Sequence, residues 1–137
     1  MPSIVPDDGA NYILSALKAY APIATNGLYI ALLTALPADN ATMASGMNEL
    51  VPTTGTYSRQ NCPVGSLTIS GDTLTCTGTF NFTGFTNSTP ITHMALVTVG
   101  SGTSGRLVVA ASLTQGNRTL ASISDTLSIM SPTFRLS

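Results

Sequence analysis

The apolar residues of this chain fall into two patterns, and the denser one marks its centre. From Gly27 to Ala35 (GLYIALLTA), Leu28, Ile30 and Leu32 point one way along a strand, and Tyr29, Ala31, Leu33 and Ala35 the other. A strand with one wet face alternates. This run therefore predicts a central strand covered on both sides, by the rest of a sheet sandwich and by a helix or a neighbouring subunit. Ile91 to Val99 (ITHMALVTV) is likewise apolar on both faces, and Arg106 to Leu113 (RLVVAASL) is a further strand.

The second pattern has helical spacing. Ile13, Leu14, Leu17 and Tyr20 form one stripe on a helix over about residues 8–21, with Asp7 or Asp8 as its N-cap and Pro22 as its stop. Residues 1–6, with Pro2 and Pro6, read as an extended arm that docks on a neighbour or frays. Asn26 and Gly27 make a turn into the central strand. Pro37 to Thr56 has two prolines, two glycines and no sustained period, which predicts a long excursion over the surface.

Alternation then takes over. In SLTISGDTLTCTGTFNF, Gly71 and Asp72 form a two-residue turn with glycine first, as type II′ prefers. Counting outward pairs Ser70 with Thr73, Ile69 with Leu74, Thr68 with Thr75 and Leu67 with Cys76, and the apolar parity continues through Phe80 and Phe82. In that register Cys62 lies well beyond the rung of Cys76, so two free buried thiols are expected. Further strands are predicted around Thr119 to Ile123, around Leu127 to Met130, and in the closing TFRLS, with the parity switching at Pro132 as at a bulge or an edge. About eight short strands at this spacing predict a mainly β fold: an antiparallel two-sheet sandwich, jelly-roll-like, with one N-terminal helix. It forms a single domain over residues 7–137.

Composition narrows the function classes. At 137 residues the chain can bury roughly two-thirds of its unfolded surface without staples. Only 8% of residues are charged, and Ser and Thr, about a quarter of the chain, supply the missing polarity. So sparse a charge leaves a lone surface hard to keep solvated, which predicts a homo-oligomer, dimer or trimer, or a place in an assembly. The five cations, Lys18, Arg59, Arg106, Arg118 and Arg135, are scattered, which argues against nucleic acid as a partner. No apolar run reaches the length of a membrane span, and the N-terminus lacks the pattern of a signal peptide, so synthesis in a cytoplasm is expected.

Candidate chemistry is thin. Gly100, Gly102 and Gly105 satisfy G-x-G-x-x-G, but a strand follows where a phosphate site needs a helix N-terminus. The one histidine, His93, sits among Ile91, Ala95 and Val97, with Asp72, Asp125 and Glu49 the only acids considered as its orienter. No nucleophile elbow accompanies it, and a hydroxyl or backbone partner is expected. One histidine and two cysteines do not furnish a zinc site. Asn40, Asn81, Asn87 and Asn117 begin N-x-S/T sequons of the kind a Thr-rich chain generates by chance. Phe80 and Phe82 belong to the core by parity; Tyr57 and Phe85 carry no assignment. No catalytic, cofactor or metal residues are assigned.

The ordered set of LYIALLTALPADNAT, NELVPTTGTYSRQ, TGTFNFTG, ITHMALVTVGSGTSGRLVVAASL and DTLSIMSPTFRLS resembles a family of small tailed-bacteriophage virion proteins, often labelled tail fiber proteins. Its positions here are Tyr29 to Pro37, Glu49 with Tyr57 to Gln60, Ile91 to His93, Gly100 to Gly105, and Asp125 to Leu136. The chain departs from it in having Leu36 where an acid is commoner, and in the sparse charge of its last strands. The resemblance implies a structural role in a virion without enzymatic activity: a cement or decoration protein on the capsid surface that contacts the major capsid protein, or else a tail or fibre component that binds a host receptor. The residues assigned to protein interfaces are Ile4 and Val5 in the arm, Met43, Met47 and Glu49 in the long loop, and Tyr57 and Arg59 after it. Arg59 and Glu49 are expected to form a positioned ion pair.

Overall fold

A computed structural model describes residues 6–50, 57–84, 90–113 and 126–135. Helix α1 spans Asp7–Ala19 and α2 spans Ala21–Asn26. Nine strands follow: β1 Leu28–Leu33, β2 Gln60–Cys62, β3 Leu67–Ser70, β4 Thr73–Cys76, β5 Thr79–Phe82, β6 His93–Val97, β7 Leu107–Ser112, β8 Leu127–Met130 and β9 Thr133–Arg135. The fold is mainly β and wholly antiparallel, but among the described residues it has three sheets where two were expected: β2-β1-β6-β7, β3-β4-β9 and β5-β8.

The third sheet has a local cause. The chain leaves β4 across Thr77 and Gly78 to start β5, and leaves β8 across Ser131 and Pro132 to start β9. Each crossing holds a residue with positive φ, Gly78 at 132° and Ser131 at 43°. The two crossings bind each other, with Ser131 N donating to the Gly78 carbonyl at 2.6 Å and Gly78 N to Ser131 Oγ at 3.2 Å. One long ribbon is thereby bent into two short sheets. The expected parity switch is there: Leu127 and Ile129 are buried before it, and Pro132 and Phe134 after it. Pro132 lies just ahead of β9, the edge strand of its sheet, where a missing donor costs no ladder bond.

β1 is the centre that its double apolar parity predicts. It lies between β2 and β6, and all its residues except Tyr29 are buried. Leu28, Ile30 and Leu32 join the main core with Leu67, Phe82, Met94, Leu96 and Phe134. Ala31 and Leu33 face the other way and meet Met43, Met47, Ala95 and Val97. The outer cover is thus the chain's own loop, the stretch after Pro37, where a helix or neighbouring subunit was expected.

The hairpin holds the predicted register at all four rungs, Leu67↔Cys76 to Ser70↔Thr73. Gly71 has φ 59° while Asp72 stays out of the positive region, which is the type II′ signature. The helical region needs two corrections. No aspartate caps α1: the N-cap is Pro6, without a side-chain bond, and the helix begins at Asp7 itself. Pro22 does not end the helical region either. Tyr20 breaks α1 in an extended conformation, and Pro22 sits in the first turn of α2, where a helix needs no N–H from it. Of the expected stripe, Leu14 is buried and Leu17 half-buried, but Ile13 and Tyr20 are exposed.

The cysteines are free and buried as expected. A 3₁₀ turn at Val64–Ser66 links β2 to β3, and Cys62 Sγ lies 3.9 Å from the Pro63 carbonyl. The neighbouring Cys76 thiol lowers the pKa of Cys62, and Cys62 together with burial raises that of Cys76. The arm residues 1–5, Phe85, Asn87, the strand expected around Thr119 to Ile123 and Asp125 lie outside the described residues.

Candidate functional site

The most ordered polar chemistry in the molecule gathers where the outer loop returns to the sheet. Backbone bonds bring Glu49 there: Thr34 N donates to the Asn48 carbonyl and Leu50 N to the Leu32 carbonyl, both at 2.9 Å, so Glu49 bridges to Leu33 at the end of β1. Tyr57 and Arg59 arrive on the lead-in to β2, whose pairing with β1 runs from Leu28↔Cys62 to Ile30↔Gln60. The sequence paired Glu49 with Arg59, and the structure brings them together.

Arg59 grips the carboxylate with two prongs, Nε to Glu49 Oε2 at 2.8 Å and Nη2 to Oε1 at 2.7 Å. Such a fork holds both orientation and charge. Its Nη1 donates to the Val99 carbonyl and its Nη2 to the Gly102 carbonyl, each at 3.0 Å, which ties down the glycine-rich connection between β6 and β7. The Tyr57 hydroxyl donates to Glu49 Oε2 and accepts from Leu32 N in β1, both at 2.9 Å. Its ring stacks on Phe82, with centroids 6.3 Å apart. Four separate stretches of chain therefore meet on one buried ion pair, in which the Arg59 and Glu49 side chains are 7% and 19% exposed.

The electrostatics make this a fastener. Burial, and then the neighbouring Glu49 carboxylate, push the Tyr57 phenol far above its ordinary range, so it stays a neutral donor. The hydrogen bonds that Arg59 donates to Glu49 raise its own pKa in turn and hold it cationic. Four of the five guanidinium N–H groups already have protein acceptors. A hollow of about 280 Å³ opens beside the pair, lined by Leu50, Ser58, Gly100 and Ser101 as well, but the charges on its wall are committed to one another.

The remaining candidates disperse. Met43 and Met47, expected at a protein interface, are buried inside this chain against Leu33 and Val97; Ile4 and Val5 lie outside the described residues. His93 opens β6, half-buried, and its Nδ1 lies 2.6 Å from Thr92 Oγ1, the hydroxyl partner expected. Of the acids weighed as its orienter, the two that are described serve elsewhere: Glu49 holds Arg59, and Asp72 accepts from Arg135 Nη2 at 2.9 Å. Gly100 to Gly105 lead into β7, a strand. Among the described residues no three His, Cys, Asp or Glu side chains come together, and no helix is long and apolar enough to cross a membrane. What the sequence missed in the fastener is its backbone half, the Leu32 amide and the Val99 and Gly102 carbonyls. Main-chain partners leave no residue-type signal.

A family model described as Podophage GP4 fiber I protein gp80 matches residues 8–136. This chain belongs to that family. No curated protein and no solved structure matches it. The gp80 match takes in α1, the outer loop, the Glu49–Arg59 pair and every strand, in agreement with the resemblance carried by those same stretches. Membership identifies a structural protein of a tailed phage, of fibre type, with its place in the virion.

Proposed function

We propose that this gp80-family chain is a non-enzymatic structural protein that works by protein–protein contact, as a cement protein bound to the major capsid protein and to further copies of itself. The observation that carries this reading is the closure of the polar site: its charged groups stiffen a loop and offer a ligand little. The lengths of its elements support the capsid shell. The longest described helix has 13 residues, and the sequence shows no repeat from which to build a shaft. The printed description of the family favours a second reading, a fibre component that contacts the host.

Counting copies separates the two. Quantitative mass spectrometry of purified particles should find this chain at a number comparable to the major capsid protein, and particles lacking it should lose their contents at lower temperature. A count that is a small fraction of the capsid protein, with intact heads and lost adsorption when the chain is deleted, would replace cement by fibre.

A further inference from the structure

Two sheet edges come together at one apolar gap. Among the described residues β7 ends the first sheet and β9 the second. Between them lies a hollow of about 180 Å³, walled by Leu14 and Leu17 of α1, Val108 and Val109 of β7, and Leu74 and Phe134 of the second sheet. β7 bulges there: Leu96 pairs with Val109 and Val97 with Leu107, which leaves Val108 as the extra residue and bends the edge. Leu17, Val108 and Val109 are only half-buried, although they pack on the main core. A cavity of about 150 Å³ takes a ring the size of benzene, so this hollow has room for one branched apolar side chain.

We propose that Leu136, the residue next after β9, seats its side chain in this hollow and straps β9 to α1 and β7. The position lies outside the described residues, and the register of β9 selects it. That strand alternates, with Thr133 and Arg135 exposed and Phe134 buried against Leu74 on its rung. One further step, at about 3.3 Å per residue, sets Leu136 on the side of Phe134 and opposite Asp72, which is buried as Leu74 and Cys76 of the same parity are. Arg135 holds the strand on that line, since its Nη2 is anchored on Asp72 Oδ2 at 2.9 Å, and Arg135 is itself on the wall of the hollow. Leu136 is thus attached to the wall of the space it fills. It meets that space at an intramolecular effective concentration, which a second copy or another partner has to exceed. The polar Ser137 falls on the outward side of the same alternation. The strap is independent of the cement reading: it makes the hollow part of the chain's own core and leaves contacts with other chains to other surfaces.

The test is thermal unfolding of the full-length chain, with the fluorescence of 8-anilinonaphthalene-1-sulfonate as a probe of the emptied hollow. Leu136→Ala should lower the unfolding midpoint by at least about 5 °C and, while still folded, bind the dye where the wild type does not. Leu136→Met, which keeps the volume, should melt near the wild type, and Ser137→Ala should change nothing. Leu136→Ala and Leu17→Ala empty one space, so together they should lose less than the sum of their separate losses, whereas Leu136→Ala and Met47→Ala, in different layers, should add. Additive losses from Leu136 and Leu17 would place the leucine elsewhere and overturn the strap. So would a Leu136→Ala chain that melts with the wild type; a wild-type midpoint that then rises with protein concentration would give the hollow to a second copy.

Discussion

The two faces of the central sheet are buried equally well by different means. Beneath Leu28, Ile30 and Leu32 lie other strands and α1, so the inner face is closed by apolar side chains projected from regular structure. Above Ala31 and Leu33 lies one irregular loop with two methionines, and methionine fills uneven gaps without fixing a shape. The shape is fixed instead by the Glu49–Arg59–Tyr57 fastener at the end of that loop. A face covered by regular elements needs no charge to hold it, whereas one covered by loop does.

If that contrast holds, the largest effect belongs to the fastener. Arg59→Ala leaves the Glu49 carboxylate buried without its counter-ion and should cost about 3–5 kcal/mol. Amide exchange should show where the loss falls, with Leu50 and Thr34 losing protection before Leu96 does. Equal loss at all three would mean that the loop and the inner core open together, and the contrast would be broken. Replacing both partners by leucine should cost less than Arg59→Ala, because no charge is then stranded. Next comes Met47→Ala, at about 2–3 kcal/mol by chemical denaturation. A truncation at Ile30, on the inner face, should exceed it, since rigid neighbours cannot relax into the space.

The same division decides what the sequence could reveal. Where side chains alternate against regular partners, as from Leu67 to Cys76, the register was legible to the residue, because a two-residue turn leaves one way to pair the strands. The double parity of β1 was legible for the same reason. The identity of its outer cover was not, since a loop has no period and Met43 and Met47 look the same whether they face a neighbour or their own sheet. Glu49 and Arg59 could be paired because opposite charges are rare in this chain. The third sheet was hidden in the crossings at Gly78 and Ser131, which alter direction without altering composition.

A smaller effect tests the neutral member of the fastener. Tyr57→Phe removes the donor to Glu49 and the acceptor for Leu32 N while keeping the ring on Phe82, and should cost about 1–2 kcal/mol at neutral pH. The sign with pH follows from the raised phenol. The folded chain holds that proton more tightly than the unfolded chain, so the contribution is whole below the unfolded pKa near 10 and is lost as pH rises beyond it. In denaturation series between pH 8 and about 11 the wild type should therefore lose its advantage over Tyr57→Phe above pH ~10, at no more than about 1.4 kcal/mol per pH unit. An advantage that grew with pH would mean that the phenol ionises more readily in the fold than out of it.

The smallest effect is the control on the inner layers. Arg135 in β9 meets Asp72, in the turn ahead of β4, at 2.9 Å, the same distance class as the fastener, yet the arginine side chain is 69% exposed. The arginine end of this pair is screened by solvent; the Asp72 side chain is only 8% exposed, but Thr73 Oγ1 also donates to it at 3.1 Å, and its layer is already fixed by Leu74 and Phe134 on the rung beside it. Arg135→Ala should cost less than about 1 kcal/mol, and less still in high salt. Two arginine–carboxylate pairs, one a two-pronged fork and one with a contact at 2.9 Å, would then differ several-fold in worth, because one holds down a loop and the other decorates a strand that packing has already placed. A loss at Arg135 as large as that at Arg59 would show that charge holds both layers, and the division between the faces would fail.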